Sequence, residues 1–301
     1  MTTWCDAADA TTEDDDDDQE RENAMTENAG KRGGSERGDA RMRVDLNSDM
    51  GEGFGRWPLG DDGALLSIVS SANIACGFHA GDPSVMLSTL TMAARRGVSV
   101  GAHVSYRDLA GFGRRFMDVA SDDLTADVAY QLSAIRGMAR IAGTSVGYVK
   151  PHGALYNRIA ADPVQAEAVV NALVRVDPGM ALVTLPGSVV GDIAAKAGIR
   201  VIREAFADRA YTPQGALVSR RVPGAVITDV DQVAARVSRM VREGVVTADD
   251  GGDISIQADS VCVHGDSPGA VAMARAIRDR LVADGIDIVP FVDVASGGDR
   301  V

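Results

Sequence analysis

The sequence has few of the residues that build disulfide frameworks or compact metal knuckles. Among its 301 residues, only three are cysteine and four are histidine. Cys5, Cys76 and Cys262 are too few and too scattered for a disulfide framework or a zinc knuckle, so reduced thiols are expected. Cys76 is interpreted as a small core residue in preference to a nucleophile, because only a lowered pKa would make its thiol reactive.

Long apolar segments are also missing. Hydrophobic residues make up 46% of the chain, yet no run of about 18 of them occurs, so no membrane-spanning helix is expected. The N-terminus is acidic and lacks the pattern of a secretory signal, which favours a cytoplasmic location. The two common nucleotide-binding signatures, G-x-x-x-x-G-K-[ST] and a strand-linked G-x-G-x-x-G, are absent.

Negative charge is concentrated near the N-terminus. Residues 1–40 contain 13 acidic and four basic residues, so they account for −9 of the net charge of −13. Such a segment repels itself and cannot bury a core, so residues 1–41 are predicted to form a disordered acidic tail. This tail is an interaction segment, a solvated extension, or the result of a start codon placed upstream of Met42. The remaining chain is only mildly acidic and has no basic stripe for nucleic acid.

From residue 42 onward, short runs rich in Val and Ile alternate with amphipathic stretches. The runs predict strands at residues 43–46, 72–76, 98–102, 146–149, 181–185, 200–203 and 260–263. A capping side chain followed by proline predicts helix starts at Asp82-Pro83, Asp162-Pro163 and Ser267-Pro268, and Ser121 is expected to cap a helix running to Ala142. Residues 245–247 and 254–256 flank a turn and predict a small hairpin.

Repeated strand–helix units imply parallel strands with right-handed crossovers. Seven such strands can close into a barrel or lie in an open doubly wound sheet. Nearly every predicted strand ends in polar residues, and a barrel gathers all its strand ends at one mouth, whereas an open sheet uses mainly one crevice. We therefore predict an α/β fold, a parallel (β/α) barrel with about seven strands. Residues 42–290 are expected to form a single catalytic domain, and residues 291–301 a polar tail.

A row of polar side chains follows the first predicted strand. Asp45, Asn47 and Asp49 alternate along an extended chain and therefore share one face, and Glu52 comes shortly after them. Such a row at a barrel mouth can hold a metal or supply a general base. The alternative is a solvated turn with local capping hydrogen bonds.

The four histidines all fall at predicted strand ends. His79 follows the second strand, His103 the third, His152 the fourth and His264 the last. A lone histidine is more often structural than functional, but four of four at strand ends indicates that at least two act in catalysis or metal binding.

Cationic side chains accompany these clusters. Lys150 is two residues from His152 and can neutralise an anionic substrate or a developing oxyanion, unless it is a surface lysine. Arg220 either clamps a carboxylate or pairs with Glu204 and Asp208. Arg114 and Arg115 follow the glycine-rich segment 110–113, which can act as a lid.

Several of these segments closely resemble the LamB/YcsF family. The likeness is carried by residues 45–52, 73–83, 150–156, 204–211 and His264-Gly265-Asp266, and it extends over residues 42–290. One departure is visible in the segment that follows the third predicted strand, at His103. Val104 and Arg107 stand where prolines are expected, after His103 and before Asp108, so this loop is expected to differ in shape.

The resemblance implies a barrel of the glycoside hydrolase/deacetylase type and a reaction, the ATP-dependent opening of 5-oxo-L-proline to L-glutamate. It also implies that the chain works with two further subunits, B and C. ATP would then be a co-substrate. Because no phosphate loop is present, ATP either binds in an unfamiliar way or is handled mainly by a partner subunit.

This resemblance suggests a set of site residues as a hypothesis. The catalytic candidates are Asp45, Asn47, Asp49, Glu52, Lys150, His152, Glu204 and Asp208. The substrate-binding candidates are Arg114, Arg115, Arg220 and His264. A divalent metal, if present, would be held by His79 and His103 with Asp45. Two other functions stay open: a metal-dependent deacetylase or amidohydrolase that acts alone, and a non-catalytic regulatory subunit.

Overall fold

Strands and helices alternate along the computed structural model, which describes residues 41–264 and 269–293. The strands are β1 (Arg43–Met50), β2 (Ser71–Ala75), β3 (Ser99–His103), β4 (Val146–Val149), β5 (Ala181–Thr184), β6 (Val201–Phe206), β7 (Val245–Thr247), β8 (Asp253–Ser255), β9 (Ser260–Val263) and β10 (Asp287–Ile288). The helices are α1 (Asp62–Leu65), α2 (Pro83–Arg96), α3 (Ser121–Ala142), α4 (Gly153–Ile159), α5 (Pro163–Val176), α6 (Val189–Lys196), α7 (Val230–Glu243) and α8 (Ala270–Ala283).

Seven parallel strands close into a barrel. Their order is β1-β2-β3-β4-β5-β6-β9, and β9 pairs back onto β1, with Asp45 opposite Ser260. This closure confirms the predicted barrel and excludes the open sheet. Strand β10 pairs with the first two residues of β1 as an additional parallel strand.

The predicted strands are confirmed with small shifts at their ends. Strand β1 is longer than predicted and continues to Met50, and β6 continues to Phe206. Strands β7 and β8 form the predicted antiparallel hairpin. The sequence did not predict β10, because two residues are too short to show a period-2 pattern.

Helix starts follow the predicted capping chemistry in two places. The side chains of Asp82 and Asp162 accept hydrogen bonds from the first turns of α2 and α5, and each helix has proline at its first position. The prediction for Ser121 is wrong in detail, because Ala120 is the cap residue and Ser121 is already helical. Acidic residues in the first turn of α3 favour the helix through its dipole instead. Ser267-Pro268 lies outside the described residues.

The two predicted tails lie largely outside the described part of the chain, which omits residues 1–40 and 294–301. Arg41, the last residue of the predicted acidic tail, pairs with Asp287 at 3.3 Å. Phe291 and Val292, predicted to open a polar tail, instead pack against Tyr148 and Ile202. These two residues are therefore partly buried apolar side chains, while residues 294–301 of the predicted polar tail lie outside the described residues. Within residues 41–264 and 269–293, no helix has the length and apolar character needed to cross a membrane.

The interior of the barrel contains both a buried polar set and smaller apolar clusters. Alternate residues of a strand point to opposite sides of the sheet. Residues on one side, such as Leu46 and Ile74, belong to the main apolar core. Residues on the opposite side include a buried polar set: Asp45, Asn47, Ser71, Asn73, Lys150, Glu204 and Ser260. Gly101 leaves space for the ring of Tyr148, because a Cβ at that position would lie 2.0 Å from the Tyr148 ring. Tyr148 Oη in turn donates to Asn73 Oδ1 at 2.8 Å.

Asp45 lies deep in this interior and not at the mouth. Its carboxylate accepts hydrogen bonds from Ser70 (2.7 Å), Ser71 (2.5 Å) and Ser260. Burial raises the pKa of Asp45 from 3.8 to about 6, although the three serine hydroxyls oppose this change. The charged form is therefore less favourable in the folded protein than in the unfolded chain.

We expect Asp45→Asn to remove a pH dependence of stability. Because the folded-state pKa of Asp45 is about 6 and the ordinary value is 3.8, the folded protein binds the extra proton, and the free energy of unfolding falls as pH rises through this window. The wild-type protein should lose about 2 kcal/mol of unfolding free energy from this group between pH 4 and pH 6.5, and Asp45→Asn should not. Urea unfolding across this range measures the difference, with exposed Asp118→Asn as the control. If the free energy of unfolding changed with pH in the same way in wild type and Asp45→Asn, the prediction would be contradicted.

Candidate active site

Three histidines and one glutamate converge at the mouth of the barrel. Glu52 follows β1, His79 follows β2, His103 ends β3 and His152 follows β4. The carboxyl ends of parallel strands meet at one end of the barrel, which brings these four residues together. One ligand atom from each lies within 4.8 Å of the others, and all four side chains are buried.

The spacing of these ligand atoms suits a small metal ion. His79 Nε2 lies 3.3 Å from Glu52 Oε1, His152 Nδ1 lies 3.6 Å from the same oxygen, and His152 Nδ1 lies 3.0 Å from His103 Nε2. A tetrahedral site with metal–ligand bonds of about 2.0 Å has ligand atoms about 3.3 Å apart. The Glu52-His79-His103-His152 group could therefore bind a metal with little rearrangement.

The tautomers of two of these histidines follow from their backbone contacts. His103 Nδ1 lies 2.8 Å from the Lys150 carbonyl oxygen, and His152 Nε2 lies 2.9 Å from the Phe112 carbonyl oxygen. A carbonyl only accepts, so each of these nitrogens carries a proton. If both rings are neutral, His152 Nδ1 and His103 Nε2 are unprotonated. Their lone pairs then face each other across 3.0 Å. A shared proton or a metal cation between these two nitrogens would remove their repulsion.

Burial disfavours extra protons on two members of the group. Burial, reinforced by the neighbouring histidines, holds the pKa of His79 well below its ordinary value. Burial and His103 lower the pKa of His152 from 6.5 to about 3. His79 Nδ1 is a buried nitrogen without a hydrogen-bond partner. Neutral imidazoles are the form that binds metals, so these shifts favour a ligand role.

Lys150 lies just below the metal-binding group and joins two carboxylates. Its Nζ is 3.0 Å from Asp49 Oδ1 and 2.8 Å from Glu204 Oε1. Burial lowers the pKa of Lys150, but Asp49, Cys262 and Glu204 outweigh it, so the net pKa is raised well above the ordinary value. Burial likewise raises the pKa of Asp49, yet His103 and Lys150 outweigh it and hold the pKa well below the ordinary value. Lys150 is therefore a charged, buried centre and not a surface lysine.

A second group lies at the other side of the mouth. His264 Nδ1 is 2.8 Å from Asp208 Oδ1, and His264 Nε2 is 2.6 Å from a guanidinium nitrogen of Arg220. Since arginine can only donate, His264 Nε2 is unprotonated and Nδ1 carries the proton. Burial raises the pKa of Asp208, but His264 and Arg220 outweigh it and the net pKa is lowered. The pair has the arrangement of an orienting carboxylate and a base.

Both groups border one cavity of about 560 Å³. Its polar and charged lining comprises Asp49, His103, Arg114, Lys150, His152, Tyr156, Asn157, Arg209, Ser219, Arg220, Arg221 and His264. Arginines from two loops dominate the outer part of this lining, whereas Asp49 is already paired with Lys150. The cavity therefore suits an anionic ligand whose reacting atom points toward the histidines.

The structure brings most of the predicted site residues together. The exceptions among the proposed catalytic and metal residues lie deeper in the barrel. Asp45 does not lie with His79 and His103, because serines hold its carboxylate in the interior. Glu52 and His152 complete the metal-binding group instead. Asn47 is buried, and its side-chain amide donates to Glu204 at 3.0 Å and to Ser260 at 2.6 Å. Glu204 also accepts from the Tyr156 hydroxyl at 2.8 Å.

Two predictions on charged and thiol side chains have different outcomes. Arg115 is turned away from the cavity, because its guanidinium bonds to Asp108, whereas Arg114 and Arg220 line the cavity. The substrate-binding role of Arg115 stays a prediction, and in this structure its guanidinium is paired with Asp108. Cys76 is a buried residue, and burial raises the pKa of its thiol to about 12, as expected for a core residue.

Some residues of the site were not singled out from the sequence. Asn73 joins Asn47 and Asp49, Tyr156 bonds Glu204, and Arg209 lines the cavity. Asn73 and Tyr156 could have been found from their position next to the strand ends, in the same segments as His79 and His152. Phe112 had no such signal, because the contact it makes is through its backbone carbonyl.

The barrel and both groups at its mouth fall within a known protein family. The family model described as LamB/YcsF family matches residues 44–296. The chain belongs to the LamB/YcsF family. The match spans all seven strands of the barrel and includes the residues of both groups.

Two relatives of this LamB/YcsF chain share a name. Proteins named as the A subunit of 5-oxoprolinase from Paracidovorax citrulli and Mycobacterium avium are 62% and 61% identical to it. These alignments cover 83% and 82% of this chain and 100% and 98% of the relatives. A crystal structure of a lactam utilization protein from Thermus thermophilus has a TM-score of 0.80 and 45% identity, covering 83% of this chain and 100% of that one.

We expect the protein to bind one divalent cation between Glu52 and the three histidines. Glu52→Gln removes a charged ligand at nearly constant volume and should weaken binding by at least about 100-fold. Calorimetric titration of the metal-free protein with Zn²⁺ measures this change. Glu167→Gln, an exposed position on α5, is the matched control and should bind as the wild type does. If wild type takes up no Zn²⁺, a shared proton and not a metal joins the two facing imidazoles.

Proposed function

We propose that this chain is the A subunit of an ATP-dependent 5-oxoprolinase. The reaction would convert 5-oxo-L-proline to L-glutamate while ATP is hydrolysed to ADP and phosphate. The chain would act in the cytoplasm with 5-oxoprolinase subunits B and C, and residues 42–290 would form its catalytic domain. The observation that carries this proposal is the match over 100% of the length of a relative with this name, at 62% identity.

The chemistry of a lactam explains why ATP is needed. A five-membered lactam is a stable amide, so its carbonyl carbon must be activated before water can open the ring. Transfer of the terminal phosphoryl group of ATP to the lactam oxygen releases ADP and activates the ring carbon. Water adds to this carbon and the nitrogen departs, giving an acyl phosphate. A second water then releases phosphate and leaves L-glutamate.

The charges of the cavity fit this sequence of steps. Arg220 and Arg221 line its outer part and would hold the substrate carboxylate or the phosphoryl group. His264 has an unprotonated Nε2 at the cavity and an orienting partner in Asp208. An anion that draws Arg220 to itself would free His264 to take the proton of the attacking water. Lys150 would place positive charge near the developing oxyanion, although Asp49 and Glu204 already balance it.

The metal-binding group has a supporting place in this proposal. Glu52, His79, His103 and His152 would hold a divalent cation, which would polarise the lactam carbonyl or balance phosphate charge. Their own contribution is a rigid, dehydrated edge of the cavity, because all four side chains are buried. His103 and His152 are oriented by backbone carbonyls and keep their facing nitrogens available.

The nucleotide is assigned to the partner subunits. The chain has no phosphate loop, and the positive charges that line its cavity include four arginines, Arg114, Arg209, Arg220 and Arg221. The proposal is therefore that subunits B and C handle ATP, while this chain holds the lactam and opens the ring.

Reconstitution tests the proposal directly. The chain mixed with subunits B and C, 5-oxo-L-proline and ATP should release L-glutamate and phosphate in equal amounts, and omission of any one of the three proteins should abolish glutamate release. Coupled glutamate and phosphate assays measure both products. No glutamate from the complete mixture would refute the proposed activity.

A matched pair of variants then tests whether this chain is catalytic. Asp208→Asn leaves the site shape intact but removes the charge that orients His264, so we expect turnover to fall by at least about 100-fold. Exposed Asp118→Asn should retain full turnover in the same complex. Full turnover with Asp208→Asn would favour a non-catalytic, regulatory role for this chain.

One observation favours a second candidate function. The buried Glu52-His79-His103-His152 group could support a metal-dependent amidohydrolase or deacetylase that acts alone. Such an enzyme would hydrolyse amide or acetyl substrates without ATP and without subunits B and C, and chelators would stop it. ATP-independent, chelator-sensitive hydrolysis by the isolated chain would establish this alternative in place of the first.

A further inference from the structure

Phe112 has an unusual backbone conformation beside the metal-binding group. Its φ is 54°, and within residues 41–264 and 269–293 it is the one non-glycine residue with a positive φ. Left-handed backbone is costly for a bulky side chain and persists only where the surrounding structure compels it. The contacts of Phe112 and its neighbours must therefore hold this conformation in place.

The loop around Phe112 is pinned on both sides. The Asp108 carboxylate accepts from the Gly111 amide at 3.0 Å and from Arg115 Nε at 2.9 Å. The next residue, Gly113, is also left-handed, and a Cβ there would lie 2.4 Å from Ser105 Oγ and 2.8 Å from His152. Its carbonyl accepts from the amide of Ala154, two residues after His152, at 2.8 Å. The segment is thus held tightly against the histidines.

The left-handed turn places both parts of Phe112 on the histidines. Its carbonyl oxygen lies 2.9 Å from His152 Nε2. Its ring lies edge-on to His152, with centroids 5.3 Å apart, and to His79, with centroids 5.7 Å apart. The backbone contact selects the His152 tautomer, and the ring covers two imidazoles. An ordinary right-handed or extended backbone at this position would turn the carbonyl in another direction.

We propose that Phe112 is a positioning residue for the metal-binding group, its strained backbone directing a carbonyl at His152 and its ring shielding His79 and His152 from water. The metal-binding part of this inference rests on the cation site of the proposed function. The tautomer part does not, because it concerns the metal-free protein. Neither part requires that 5-oxo-L-proline be the substrate.

The first test is the tautomer of His152 in the metal-free protein. Nitrogen NMR of ¹⁵N-histidine-labelled protein, assigned with His152→Gln, should show a protonated Nε2 and an unprotonated Nδ1. The Nε2 proton should exchange slowly with water, and in Phe112→Ala its exchange should be at least about tenfold faster. A proton on Nδ1, or unchanged exchange in the variant, would overturn the proposal.

The second test is Zn²⁺ affinity, measured by calorimetry on a set of variants. Loss of an orienting contact typically weakens metal binding by about 10–100-fold, and we expect this for Phe112→Ala. Phe112→Gly also lacks the ring but accepts the left-handed backbone, so it should bind more tightly and melt at a higher temperature than Phe112→Ala. Phe116→Ala, at an exposed phenylalanine of the same loop, is the control and should bind as the wild type does.

The outcomes separate this inference from the site on which it rests. Affinities of both Phe112 variants within about twofold of the wild type would overturn a positioning role. If wild type binds no Zn²⁺, the cation site of the proposed function fails, and the His152 tautomer and proton exchange alone decide the role of Phe112.

Discussion

The ion pairs of Lys150 with Asp49 and Glu204 are the interaction on which the interior of this barrel depends. All three side chains lie in or against a closed sheet, where an unpaired charge is strongly unfavourable. The lysine ammonium also donates to Asn47 at 3.2 Å, which joins the triad to the deeper polar layer around Ser260 and Asp45. The charged and polar groups inside the barrel thus form one connected set of ion pairs and hydrogen bonds.

This polar interior connects to the mouth through a few direct contacts. Asp49 lies 3.3 Å from His103 Nε2, and the Lys150 carbonyl accepts from His103 Nδ1. The same strand end therefore carries the buried ammonium and the carbonyl that orients a metal-binding histidine. Rigid strands set the inner half of the site, while the loops that carry Phe112 and Arg220 supply its outer half. That division suits a reaction in which an anionic substrate enters past arginines and reacts beside the histidines.

Much of the fold was predictable because strand–helix repeats have strong local signals. The barrel, the hairpin and the convergence of the four histidines at one mouth followed from where polar residues end the strands. The sequence did not predict how deep each side chain lies in the barrel. Alternation places Asp45, Asn47 and Asp49 on one face, but it does not indicate which of them reaches the mouth. Arg115 and Arg114 are adjacent and chemically equal, and only the fold of their loop turns one to Asp108 and the other to the cavity.

The central claim, that Lys150 compensates the buried Glu204 and the partly buried Asp49, is tested most directly by the free energy of unfolding of Lys150→Met. Removing one partner of a buried ion pair usually costs about 3–5 kcal/mol, whereas replacing the whole set by neutral groups costs far less. We expect a loss of this size in Lys150→Met and recovery of most of it in Lys150→Met/Asp49→Asn/Glu204→Gln, measured by denaturant unfolding at pH 7. If Lys150→Met were as stable as the wild type, the account of the barrel interior would be contradicted.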